Sequence, residues 1–194
     1  MPRETFSARF RDSVRLYMER SLPELYTDPA ARDMAVFLNT HREETLELVA
    51  SSEGLARRLQ ANPHPHILCH ADIHAWNLLI DRQDHLYMVD WDTLIFAPKE
   101  RDLMFIGSRL GGDGHSPEEE EKLFYQGYGQ TEIDEAALAY YRYERIVEDI
   151  AVYCDQIFLT DAGGEDRNQS VEYLKSNYMS SGTIQVACRS DKTR

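Results

Sequence analysis

The sequence predicts a mainly α-helical fold carrying one small β-hairpin. Three observations support this. Apolar residues recur every three to four positions from Asp134 to about Leu159. The same period covers most of the first 60 residues. Two short apolar runs, Leu78-Leu79-Ile80 and Leu86-Tyr87-Met88-Val89, flank the polar turn Asp81-Arg82-Gln83-Asp84. The 194 residues are read as one domain. It comprises a helical lead-in (1–62), a segment that carries the chemistry (63–107), a second helical region (108–180) and a polar tail (181–194).

The elements follow in order. Phe6, Phe10, Val14 and Tyr17, with Leu16 and Met18 alongside, form a helical stripe that ends at Ser21-Leu22-Pro23. A second helix starts after Asp28-Pro29, with Asp28 as N-cap and Pro29 in the first turn. Met34, Phe37, Leu38, Leu46 and Leu48 extend it to about Ala50, and a short helix over Glu53–Gln60 closes at Asn62-Pro63-His64-Pro65. Ile67-Leu68-Cys69 leads into His70, and the hairpin follows. Helix resumes after Pro98. On the helix from Asp134, Tyr143, Ile146, Ile150, Tyr153 and Ile157 share one face, with Glu144, Glu148 and Asp155 roughly opposite. A loop at Ala162-Gly163-Gly164-Glu165-Asp166 precedes the last helix.

Composition narrows the function. No apolar run approaches the length needed to span a bilayer, and MPRETFSARFRD has no signal-peptide character. Three widely spaced cysteines (Cys69, Cys154, Cys188) do not suggest a disulfide framework. The expectation is a cytoplasmic protein with no membrane partner. The net charge of −13, from 21 basic and 34 acidic residues, disfavours a nucleic-acid partner. It suits a small cationic ligand, and it equally suits a protein kept soluble by its charge.

The informative segment is His70-Ala71-Asp72-Ile73-His74-Ala75-Trp76-Asn77, followed by Met88-Val89-Asp90-Trp91-Asp92. Phosphoryl transfer needs a carboxylate to orient and deprotonate the attacking hydroxyl, and oxygen ligands for Mg²⁺ on the phosphates. Asp72 with Asn77 five residues on supplies one base and one ligand. A hairpin of the right length returns Asp90 as the second ligand.

These residues resemble the catalytic and metal loops of protein-kinase-like enzymes. In the form His-Ala-Asp-Ile-His-Ala-x-Asn with Val-Asp-Trp-Asp, they resemble the aminoglycoside phosphotransferase family. Ala97–Gly107, Phe124–Gly129 and Tyr140–Ile150 extend the likeness, which is greatest to the spectinomycin branch of the family and spans roughly residues 60–160. The resemblance implies the catalytic C-terminal lobe of a kinase-like α+β fold. It also implies ATP (or GTP) and Mg²⁺ as cofactors, and a small cationic, hydroxyl-bearing substrate of the aminoglycoside or aminocyclitol kind. By resemblance Asp72 is the catalytic base, and Asn77 and Asp90 are the Mg²⁺ ligands. His70 buttresses the loop and Asp102 braces it, or else caps the helix from Leu103. Asp92 faces metal or substrate. Glu144, Glu148 and Asp155 either line a cationic-substrate cleft or form a solvated helix face.

Two features depart from the family pattern. No glycine precedes Gly54 and the first lysine is Lys99, so the Gly-rich loop and phosphate-anchoring Lys of a nucleotide-binding lobe are lacking. The sequence thus reads as a fragment, a decayed gene product or one part of a complex. An uncovered lobe would tend to self-associate. Trp76 also stands where relatives usually carry a small residue, either crowding the metal loop or lying harmlessly on the surface. Two competing functions remain: a substrate-binding lobe without turnover, and a metal-dependent hydrolase built on His64, His66, His70, Asp72 and His74.

Overall fold

In a computed structural model, the structure describes residues 1–62, 64–108, 114–160, 163–164, 166–180 and 182–192. Pro63, residues 109–113 of the second helical region, Asp161 ahead of the expected loop, Ala162 and Glu165 within it, and Ser181, Thr193 and Arg194 of the tail lie outside them.

Helix α1 (Arg9–Arg20) buries Val14, Tyr17 and Met18. Phe6, read as part of its stripe, precedes the helix at φ 54° and is buried separately, against Tyr140 and Tyr141. Helix α2 (Pro29–Thr40) begins as expected, with the Asp28 side chain accepting from the Ala31 amide at 2.8 Å and Pro29 at the first position. The single long helix expected to run to Ala50 is divided at His41 (φ −101°, ψ 20°). Helix α3 then runs unbroken over Arg42–Ala61, absorbing the short helix expected over Glu53–Gln60. The Asn39-Thr40-His41 junction holds only weak helix formers. His41 Nδ1 lies 3.0 Å from Glu44 in the first turn of α3, and its ring packs on Phe37 and Tyr178.

Strand β1 (Ile67–Cys69) pairs antiparallel with β4 (Ile95–Ala97), a strand the sequence reading did not contain. The N-terminal segment joins this pair. Arg3 bridges to Phe96 in parallel, the Glu4 amide donates to the Phe96 carbonyl, and the Phe96 amide donates to Pro2. Strands β2 (Leu78–Ile80) and β3 (Leu86–Met88) form the expected hairpin. Asp81 closes its turn by accepting from the amides of Gln83 and His85. The hairpin's apolar side chains remain exposed, Ile80 at 70% and Leu86 at 61%.

Helix α4 (Glu100–Leu103) is short. Helix α5 (Pro117–Tyr128) opens on a reciprocal cap between Ser116 and Glu119. The long helix expected from Asp134 is α6 (Glu135–Phe158). The Asp134 carboxylate accepts from Ala136 and Ala137, and the amide of Asp134 donates to the buried Glu100. Helix α6 is the axis of the core, contacting α1, α2, α3, α4, α7 (Asp166–Ser176) and α8 (Thr183–Ser190). Much of the tail expected to be polar is therefore helix α8, which buries Ile184 and Ala187. The expected fold class, mainly helical with small antiparallel strand pairs, is the one observed. No helix among the described residues is long and apolar enough to cross a membrane.

Candidate active site

The loop between β1 and β2 carries the predicted chemistry, and its shape is imposed from below. Asp102 on α4 accepts from the amides of His70 (3.1 Å) and Ala71 (2.7 Å). It lies inside the helix, so the capping alternative falls away and the bracing contact stands. Ala71 is held at φ 70°, a region costly for a residue with a Cβ, and is buried. This turn lifts the next residue, Asp72, off the sheet. Buried His70 places Nε2 3.0 Å from the Val89 carbonyl, so that nitrogen carries the proton. Its ring packs on Trp91, and Thr93 donates to its carbonyl oxygen. Cys69 beside it is no candidate nucleophile, because burial pushes its thiol up to about 12.

Asn77 closes the loop. Its Nδ2 donates to the Asp72 carbonyl at 2.9 Å and lies 3.4 Å from Asp72 Oδ2. The hairpin continues this geometry, since the Val89 amide donates to the Asn77 carbonyl. Asp90 is thus one residue beyond the position opposite Asn77. It is exposed, with φ 64° and ψ 62°, a left-handed conformation that Asp tolerates better than most residues. Asp92 follows in a 3-10 turn (Trp91–Thr93) and is also exposed. Trp76 projects into solvent at 78% exposure, with its ring edge-on to His74, and does not crowd the loop.

A cleft of about 270 Å³ opens beside this loop. His74, Phe105, Arg145, Asp149, Tyr153 and Asn177 are among its lining residues, drawn from the loop, the turn after α4, α6 and α7–α8. The carboxylates predicted to line it are elsewhere. Glu144 is buried between α1, α3 and α6, bound to Arg11 at 2.5 Å and to Ser52. Burial pushes its carboxyl up, against the pull of those two partners. Asp155 is on the surface and accepts from the Tyr17 hydroxyl. Glu148 is half-buried near Arg145 but does not line the cleft.

Two residues that sequence reasoning did not single out sit at the centre. Arg145 Nη1 donates to Asp72 Oδ1 at 2.9 Å, and Arg145 Nε lies 3.1 Å from Asp149. Burial pushes the Asp149 carboxyl up to about 6, although Arg145 pulls it down. A signal for them existed: Arg142, Arg145, Ile146, Asp149 and Tyr153 recur at three- and four-residue spacing and fall on one helix face.

The donor set suits Mg²⁺. Asn77 uses its amide nitrogen on Asp72, so its Oδ1 is the atom available to a cation, and exposed Asp90 adds a hard carboxylate. The histidines do not converge. His64 pairs with Asp134, His70 is turned to Val89, and no three His, Cys, Asp or Glu side chains form a metal-holding group among the described residues. The geometry therefore lends the hydrolase alternative no support.

Comparison with known proteins identifies the family. The phosphotransferase enzyme family (APH) matches residues 3–141. A crystal structure of spectinomycin phosphotransferase, APH(9)-Ia, in complex with ADP and spectinomycin is 34% identical, with a TM-score of 0.87 over 98% of this chain. The AMP-bound complex of APH(9)-Ia is 35% identical, with a TM-score of 0.85 over 97%. The chain spans 57% and 58% of those two structures. No curated protein is a significant match. The likeness carries the fold class read from the sequence, mainly helical with small antiparallel strand pairs, and is consistent with a partial lobe. By its profile match and by its structural neighbours, the chain belongs to the phosphotransferase enzyme family.

Proposed function

We propose that this chain carries the catalytic base and substrate cleft of a small-molecule kinase. The reaction is transfer of the γ-phosphate of ATP (or GTP) to a hydroxyl of an aminocyclitol such as spectinomycin. The observation that carries this reading is the placement of Asp72 and Asn77, 3.4 Å apart beside the cleft, with the hairpin returning Asp90 to the same edge.

In this reading Asp72 orients the substrate hydroxyl and accepts its proton as the oxygen–phosphorus bond forms and the bond to the leaving nucleotide diphosphate breaks. Asn77 and Asp90 would hold Mg²⁺, which when bound neutralises charge on the phosphate oxygens. Asp102 fixes the loop through two backbone amides, and His70 ties it to the hairpin. Asp149, rather than Glu144, Glu148 or Asp155, offers the substrate's cationic groups a carboxylate on the cleft wall. Asp92 is an outer ligand on the exposed edge in this reading.

The test is titration calorimetry of the purified chain with ATP and Mg²⁺, followed by an assay of phosphate transfer to spectinomycin. Binding with turnover supports the reading. Absence of both overturns it for the chain acting alone. One observation favours a second reading. The apolar side chains of the hairpin are uncovered, as expected if the chain holds substrate but turns over only when another polypeptide segment covers that face. Until then it would tend to self-associate.

A further inference from the structure

Resting on the phosphotransferase reading, we propose that Arg145 is a positioning residue for Asp72, and that Asp149 in turn holds Arg145. The three side chains form a chain of contacts from loop to helix. Asp72 Oδ1 accepts from Arg145 Nη1 at 2.9 Å, and Arg145 Nε meets Asp149 Oδ1 at 3.1 Å. Asp72 and Asp149 are 73 and four residues from Arg145 in sequence, so the guanidinium ties a loop residue to the core helix.

Three features give this contact a directional effect. First, Asp72 has no regular element of its own, because it follows the strained Ala71 and precedes a 3-10 turn (Ala75–Asn77). A short carboxylate side chain in such a loop has several open rotamers unless something engages it. Second, Arg145 stands on α6, whose neighbours Glu144, Ile146 and Val147 are buried, so its origin is fixed. Third, its planar fork reaches two carboxylates at once while its charge lies over the Phe105 ring at 5.8 Å, a geometry a lysine cannot reproduce.

The contact also assigns the two oxygens of Asp72 to different tasks. Oδ1 is committed to Arg145. Oδ2 faces Asn77 Nδ2 at 3.4 Å and His74 Nε2 at 3.5 Å, both long contacts that an incoming hydroxyl can displace. Oδ2 is therefore the proton-accepting oxygen.

The test reads the side-chain geometry of Asp72 directly. Hα–Hβ couplings of Asp72 are measured by NMR in the unaltered chain and in Arg145→Ala, Arg145→Lys and Asp149→Asn. Backbone amide spectra serve as the control for folding. The expected result is one fixed χ1 rotamer in the unaltered chain, averaged couplings in Arg145→Ala, and intermediate values in Arg145→Lys and Asp149→Asn. Where the chain turns over, Arg145→Ala should lower kcat by about 10- to 100-fold while KM for spectinomycin moves less than about threefold. A single rotamer retained in Arg145→Ala, or a change in KM alone, overturns the proposal. If Arg145→Ala fails to fold, Arg145→Lys decides by the same couplings. Absence of phosphate transfer by the unaltered chain would count against the phosphotransferase reading, and the couplings would still decide the role of Arg145.

Discussion

The carboxylate of Asp102 and the amide of Ala71 meet at 2.7 Å, and Ala71 is the one residue of the loop between β1 and β2 held at a positive φ. The second oxygen of the same carboxylate takes the neighbouring amide of His70. One side chain on a four-residue helix thus satisfies two loop donors and stabilises a conformation that alanine alone would avoid.

Asp102→Ala should therefore destabilise the protein by about 2–4 kcal/mol, since two hydrogen bonds to a charged acceptor are lost together. Asp102→Asn, which keeps one acceptor oxygen, should lose roughly half as much. Urea denaturation followed by circular dichroism measures both. Equal losses would mean that the charge, and not the geometry of acceptance, holds the loop.

The Arg11–Glu144 pair is buried between three helices. Removing one partner strands the other charge, so Arg11→Met should destabilise by about 3–5 kcal/mol. The double variant Arg11→Met with Glu144→Leu should recover most of that loss. A double variant no more stable than Arg11→Met would show that the arginine acts chiefly through its bonds to the Phe6 and Ser7 carbonyls.

Asp149 gives a pH signature. Its folded value, raised to about 6 by burial, lies above the ordinary aspartate value of 3.8. A raised carboxyl contributes stability that is fully present below 3.8 and lost as pH rises through 6. Stability of the unaltered chain relative to Asp149→Asn should accordingly fall between pH 4 and pH 6.5, by no more than about 3 kcal/mol. Denaturant midpoints at four pH values would reveal this slope. A flat difference would place the Asp149 titration outside that window.

Asp72→Asn keeps the shape of the loop and removes the base, so kcat for phosphate transfer should drop about 10²- to 10⁴-fold with little change in folding. Near-normal turnover would take Asp72 out of the base role. Asn77→Ala should raise the Mg²⁺ concentration needed for half-maximal activity. An unchanged Mg²⁺ titration would remove Asn77 from the ligand set.

The legible parts of this fold were the local ones. Two short apolar runs around a polar turn mark the hairpin, and the spacing of Asp72, Asn77 and Asp90 about it is likewise a local pattern. Asp28 announced its helix through cap chemistry, and apolar periodicity announced the helix from Asp134. The break at His41 left no trace, having neither glycine nor proline at the junction, and β4 is too short to show a period. The burial of Glu144 could not be read because its partner lies 133 residues away. The helix spacing could place Arg145 on the cleft face, but its partner Asp72 could not be read, since it lies in a loop 73 residues earlier.

The parallel bridge between Arg3 and Phe96 has a mechanical consequence. Residues 2–4 are stitched to β4, β4 is laddered to β1, and β1 runs straight into His70. A pull on the amino end is therefore borne by this sheet, which is continuous with the loop that carries Asp72. Whatever is fused ahead of Met1, a purification tag or a reporter protein, has its anchor point on this sheet and, through Phe6 on Tyr140 and Tyr141 and Gln60 on the Thr5 carbonyl, on α6 and α3 as well.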